Sequence, residues 1–211
     1  MRFLCISDIH GRLDALSAVL ASGEKLGFQE VLVAGDILFP GKDAIEVWRR
    51  LSSLNARMVS GLTDRAIAML DEKKMKPSNE HEEAMLRRML EIRSELGDVL
   101  LERVRRLPER ARFDLESGGE ILLVHGSPRD PSEAISIDLS DDEMNNLVGD
   151  DPADIVVCGM SHVPFDKTLP DVRIINVGSV GEAPPDGSYA HATWIDSRKD
   201  GIYVEQMIVP L

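Results

Sequence analysis

The chain has 211 residues, of which 43% are hydrophobic and 29% charged, proportions of a soluble globular protein long enough to bury a substantial core. Lys and Arg number 24 against 37 Asp and Glu, a formal net charge of -13. That charge argues against a large nucleic-acid footprint, because a phosphate backbone needs neutralising cations. No apolar run approaches the roughly 20 residues of a membrane helix. The N-terminus, MRFLCISDIH, enters a strand at once and lacks signal-peptide anatomy, so no membrane association and a cytoplasmic location are expected.

RFLCISD reads as a first strand. A helix follows, with Leu13, Leu16, Val19 and Leu20 at helical spacing and Gly27 as its stop. EVLVAGD is a second strand, DAIEVWRRLSSL a second helix and ARMVSGL a third strand. Such alternation implies parallel pairing through right-handed crossovers. Residues 79–107 are rich in helix formers, with Met85, Leu86, Met89, Leu90 and Ile92 along one side. They predict a helical insertion with a solvated charged face, broken near Gly97 and ended by Pro108. EILLVHG, DIVVCGM, VRIINVG, HATWID and GIYVEQMIV then predict a β-rich second half. The acidic stretch 130–154 is expected to be loop plus a short helix. Cys5 and Cys158 lie in apolar runs and read as buried, reduced thiols. No linker divides the chain, so 1–211 is expected to be one domain.

The strand ends carry the chemistry. They read Asp8-Ile9-His10, Gly35-Asp36, Gly61-Leu62-Thr63-Asp64, His125-Gly126 and Gly159-Met160-Ser161-His162. The carboxyl ends of strands line the ligand crevice of open α/β sheets. Taken singly, a strand-end Asp is also a helix N-cap and a lone His a satisfied core residue. Carboxylates and imidazoles converging on one rim point instead to a divalent metal that accepts mixed N and O ligands, such as Zn, Mn or Fe.

The order D-x-H, GD, G-x-x-D, HG, G-x-x-H resembles the calcineurin-like metallophosphoesterases. VHGSP and NVGSVG resemble their small bacterial and archaeal phosphodiesterase branch. The likeness implies an α/β fold, a four-layer α-β-β-α sandwich of two mixed sheets flanked by helices. It also implies two cations. Asp8, His10, Asp36 and His162 would ligate the first, with Asp36 bridging to the second and His125 at the second. Asp64 would be a hydrogen-bonding residue behind the ligands. The implied partner is a small phosphorylated substrate, whose charge bound cations offset.

Three residues depart from the family pattern. Leu62 stands where relatives have an Asn ligand, and Met160 where they have a His; both belong to the second cation. Thr63 stands where many have a proton-donating His. One cation is therefore expected to bind tightly and a second weakly, with His125 as a ligand, a general acid or an electrostatic partner of the phosphate. Arg12 reads either as a bidentate phosphate binder or as a surface residue on a first helical turn. His81 is expected to be exposed, and His191 lies on a late strand. The resulting expectation is a phosphomono- or phosphodiester hydrolase. The alternative is an impaired family member kept as a scaffold.

Overall fold

The computed structural model describes residues 1–150, 153–183 and 188–211. The acidic stretch expected to be loop and helix therefore loses residues 151–152 from view. The elements come in chain order as β1 (Arg2–Ile6), α1 (Leu13–Leu26), β2 (Glu30–Val33), α2 (Ala44–Ser53), β3 (Arg57–Met58), α3 (Leu62–Met69), α4 (Glu80–Arg105), β4 (Arg110–Asp114), β5 (Glu120–Val124), α5 (Asp141–Val148), β6 (Ile155–Cys158), β7 (Phe165–Thr168), β8 (Arg173–Asn176), β9 (Tyr189–Arg198) and β10 (Gly201–Pro210). Two five-stranded sheets result, ordered β10-β9-β1-β2-β3 and β4-β5-β6-β8-β7. Both are mixed. β1, β2 and β3 run parallel, with β9 antiparallel to β1. β5, β6 and β8 run parallel between antiparallel edges β4 and β7.

Period-two alternation decides which layer each side chain enters. Phe3 and Cys5 join Leu123, Val157 and Ile175 in a core between the sheets, whereas Leu4 and Ile6 pack outward on α1 and α2 residues such as Leu16 and Val47. In the second sheet Ile121 and Leu123 face the first sheet, while Leu122 and Val124 face Met144 and Val148 of α5. Two outer helical layers on two sheets make the expected α-β-β-α sandwich.

Several sequence expectations take concrete form. α1 ends at Gly27, which adopts φ 75°. α4 is broken at Gly97, with φ 64° and ψ 174°, a conformation that side-chain-bearing residues rarely hold. Cys5 and Cys158 are buried free thiols, and burial raises both acidities' midpoints, that of Cys158 to about 12. β4 (RARFD) and β7 (FDKT) are strands that hydrophobic patterning did not reveal. Both are edges of their sheet, where polar side chains face water and discourage pairing with other chains. No helix among the described residues is long and apolar enough to cross a membrane.

The expected apolar stripe on α4 is shifted. Ile92, Leu96, Leu101 and Val104 join the core with α1–α3, whereas Met85 stays exposed. A Leu/Ile→Ala change at a fully buried site costs about 2–5 kcal/mol, and an exposed change usually less than about 0.5. Ile92→Ala should therefore lower unfolding stability in urea by about 2–4 kcal/mol in one cooperative transition, while Val99→Ala, at a position 71% exposed, should leave it nearly unchanged. A separate early transition in Ile92→Ala would instead make α4 an independent unit.

Candidate metal centre

The loops after β1, β2, β5 and β6 meet at one end of the sheets. The β1 and β2 loops run side by side: the Asp8 N–H donates to Gly35 O at 3.0 Å, that of His10 to Asp36 O at 3.0 Å and that of Gly11 to Ile37 O at 2.9 Å. The second sheet is tied on through the N–H of Val180, which donates to Ser7 O at 3.0 Å.

Asp8 is fully buried, and His10 and Asp36 nearly so. Asp8 Oδ1 lies 3.2 Å from His162 Nε2 and 3.7 Å from His10 Nε2. The two Nε2 atoms are 3.3 Å apart. Two of the three residues are gripped from behind. The His10 Nδ1–H donates to Phe39 O at 2.5 Å, which leaves its Nε2 as a lone pair. Asp8 Oδ2 accepts from the Met160 N–H at 3.0 Å, so Oδ1 is the free oxygen. These three atoms form one cluster fit for a cation.

A second cluster comprises Asp8, Asp36 and His125. The His125 Nδ1–H donates to Ala34 O at 2.7 Å, and its Nε2 stands 3.6 Å from Asp36 Oδ2. Asp36 Oδ1 accepts from the Thr63 N–H at 2.8 Å. Asp8 thus belongs to both clusters, while Asp36 groups with His125 rather than with the two other imidazoles.

Asp8 Oδ1 and His125 Nε2 are buried without a well-aligned hydrogen bond. Buried polar atoms left this way are rare, and lone pairs crowded at 3–4 Å repel unless a cation or proton lies among them. The donor set is two carboxylates and three imidazoles, a mixture suited to Mn, Fe or Zn. On both counts these residues fit a divalent metal.

The backbone records the same demand. Asp8, His10, Asp36 and His162 all have positive φ, between 50° and 59°, as does Met160 at 66°. Each such non-glycine conformation costs on the order of 1–3 kcal/mol and persists only when its surroundings impose it. Gly159 makes room for one of them: a Cβ there would lie 2.0 Å from Ser7 Oγ and 2.5 Å from Asp8 Oδ2.

Burial alone would raise the Asp8 carboxyl, but His162 and His125 outweigh it and hold the group below its ordinary value. The Asp8 hydrogen bond correspondingly raises His162. Asp64 is fully buried behind the ligands. It accepts from the Ile37 N–H at 3.0 and 3.2 Å and from the Gly61 N–H at 3.1 Å, so it clamps the β2 and β3 loops together.

The remaining expected residues fall as follows. The Arg12 guanidinium pairs with Asp14 at 2.8 Å and donates to Gly181 O at 3.2 Å. Leu62 heads α3, is 38% exposed and lines an outward groove with Arg65, Met69 and Pro131 rather than being sealed among the ligands. Met160 is half-buried and His81 exposed. His191 is buried; burial lowers its acidity midpoint, opposed by a hydrogen bond to the His162 backbone.

Three contacts were not foreseen. Glu182 Oε2 lies 3.8 Å from His10 Nε2. His191 backs the His162 loop. Arg88 of α4 donates to Pro40 O at 3.1 Å and to Gly41 O at 2.5 Å, beside the Phe39 carbonyl that orients His10. Only NVGSVG, which ends immediately before Glu182, hinted at any of these.

Burial, with the Asp36 charge second, pushes the Asp64 carboxyl up to about 6 from an ordinary 3.8. The folded metal-free chain therefore binds the extra proton between these values, and this contribution to stability is lost as pH rises through about 6. Asp64→Asn removes the titration. The stability of metal-free wild type relative to Asp64→Asn should fall between pH 4 and pH 7, as read from urea midpoints in chelator. A flat difference would contradict the burial assigned to Asp64.

Comparison with known proteins identifies the family and the fold. The chain is 28% identical over 212 residues to an uncharacterized protein of Methanocaldococcus jannaschii, covering 92% of this chain and 82% of the relative. A hypothetical protein of Pyrococcus horikoshii OT3 superposes with a TM-score of 0.81 at 25% identity, over 99% of this chain and 88% of its own. A metallophosphoesterase from Sphaerobacter thermophilus shares the fold with a TM-score of 0.75 at 23% identity, over 99% and 89%. The family model of the calcineurin-like phosphoesterase superfamily domain matches residues 1–197. The chain belongs to the calcineurin-like phosphoesterase superfamily.

Proposed function

We propose that this chain hydrolyses a phosphomonoester or phosphodiester of a small molecule, in the manner of the small bacterial and archaeal branch of its family. One Mn, Fe or Zn ion is held firmly by Asp8, His10 and His162, with Asp36 alongside. A second, next to Asp36 and His125, is weak or arrives with substrate. The observation that carries this reading is the convergence of Asp8 Oδ1, His10 Nε2 and His162 Nε2, 3.2 to 3.7 Å from one another, two of the three residues gripped on their far side.

Such an ion, when bound, supplies positive charge to a phosphoryl oxygen and acidifies water near neutral pH. The chain's own residues do the rest. Met160 N–H and Phe39 O fix the ligating atoms of Asp8 and His10, so little reorganisation is needed on binding. Thr63 N–H holds Asp36 beside His125. His125 Nε2, its ring anchored on Ala34, serves as a second-position ligand or delivers a proton to the departing oxygen. Arg12 reaches a phosphate by leaving Asp14, a partly exposed pair worth at most about 1 kcal/mol. The net charge of -13 favours a small substrate over a nucleic acid, and a cytoplasmic setting keeps Cys5 and Cys158 reduced.

Leu62 and Met160 offer no lone pair suited to such cations, and both stand where the family resemblance puts ligands of the second cation. Restoring ligands there tests the reading. Purified protein should hydrolyse an aryl phosphodiester when manganese is added. The double variant Leu62→Asn, Met160→His should do so faster, by more than the product of the two single-variant gains, because neighbours sharing a partner act non-additively. Failure of wild type to turn over mono- or diester with Mn, Fe or Zn would contradict the hydrolase reading. A folded double variant with no gain in rate or metal would show that Met160 is not a vacated ligand position, and would favour a scaffold.

A further inference from the structure

Glu182 stands at the mouth of the first cluster. Its Oε2 lies 3.8 Å from His10 Nε2, the nitrogen that also faces His162 Nε2 at 3.3 Å. The side chain is 46% exposed, so it approaches from solvent over the otherwise buried ligands. Its backbone is fixed. The Glu182 N–H donates to Ser179 Oγ at 2.8 Å, and that hydroxyl donates to Asp8 O at 2.9 Å. The Gly181 N–H donates to the same Asp8 carbonyl at 2.8 Å, and Val180 N–H to Ser7 O. Arg12 Nη1 closes the loop from outside by donating to Gly181 O. Residues 179–182 are thereby sewn to the strand end that carries Asp8, and the Glu182 backbone is fixed beside the site.

The His10 tautomer gives the contact its meaning. With Nδ1–H given to Phe39 O, neutral His10 has no proton to offer Glu182. A carboxylate and a lone pair at this distance repel unless something positive lies between them. We propose that Glu182 is a further oxygen ligand of the first cation. This rests on the metal-dependent reading above. It completes a set of two carboxylates and two imidazoles, Asp8, Glu182, His10 and His162, well matched to borderline divalent metals. It concentrates binding at the first position, the one whose other ligands are present, and it occupies a coordination place that would otherwise hold water or substrate. The bound ion is consequently held tighter and is less open than one ligated by the strand-end residues alone.

The test is direct binding. Cobalt(II) is titrated into chelator-stripped wild type, Glu182→Gln, Glu182→Asp and Glu205→Gln, the last an exposed carboxylate on β10. Heat and the visible absorption of the bound ion are recorded, and circular dichroism checks the fold. Loss of a direct ligand should weaken cobalt binding in Glu182→Gln by at least the roughly 10-fold that losing a hydrogen-bonding partner behind a ligand costs and change the absorption spectrum, which reports coordination number. Glu182→Asp should fall between, and Glu205→Gln should match wild type. A folded Glu182→Gln with wild-type affinity and spectrum would overturn the inference and leave the phosphoesterase reading standing. Wild type that takes up no cobalt would overturn both.

Discussion

The structure turns on one buried carboxylate. Asp8 has no contact with solvent, and every polar atom it carries is committed except Oδ1. Its N–H goes to Gly35, its carbonyl receives Ser179 and Gly181, and its Oδ2 receives Met160. Those partners come from β2's loop, from the 178–182 segment and from β6's loop, so one residue joins both sheets. Burying an ionised group is expensive unless it is paired. Here the imidazoles of His162 and His125 favour its ionised form, and its Oδ1 faces the His10 Nε2 lone pair and the His162 Nε2. A cation among these atoms would satisfy all of them at once.

The same requirement explains the backbone. Left-handed conformations at Asp8, His10, Asp36 and His162 oppose folding, each by an amount comparable with a hydrogen bond. They are tolerated because parallel β1 and β2 lie beside each other and their loops exchange three backbone hydrogen bonds, and because glycine at 159 lets the β6 loop press against Ser7 and Asp8. Strain placed on the ligands fixes their direction before any ion arrives. The double sandwich is the rigid frame for this, with the helical core on one side and the inter-sheet core beneath it.

Much of this was legible in the sequence, for physical reasons. Buried strands announce themselves as apolar runs, and Asp, His and Gly at their ends announce a rim, so β1, β2, β5 and β6 and the five residues that gather there, Asp8, His10, Asp36, His125 and His162, could be read directly. Edges β4 and β7 could not, because solvent-facing strands carry the polar residues that apolar patterning ignores. Short α3 was hidden because its first turn is itself the G-x-x-D segment. Contacts set by tertiary packing were beyond reach: Glu182 belongs to the site only because Ser179 and Gly181 bind Asp8, and Leu62 escapes the ligand cluster only because α3 turns it outward. The sharing of Asp8 by two clusters, with Asp36 nearer His125, is likewise a property of the folded loops.

The family's chemistry and this chain's departures then meet in one asymmetry. Asp8, His10 and His162 gather at the first position with Glu182 close by; Asp36 groups with His125 and Asp8, and Leu62 and Met160 stand where the family resemblance would put further ligands of the second. The central claim is that this asymmetry governs metal occupancy. The most direct measurement is elemental analysis of protein purified without chelator and dialysed against metal-free buffer. The account predicts close to one transition-metal ion per chain, and either two firmly held ions or none would contradict it.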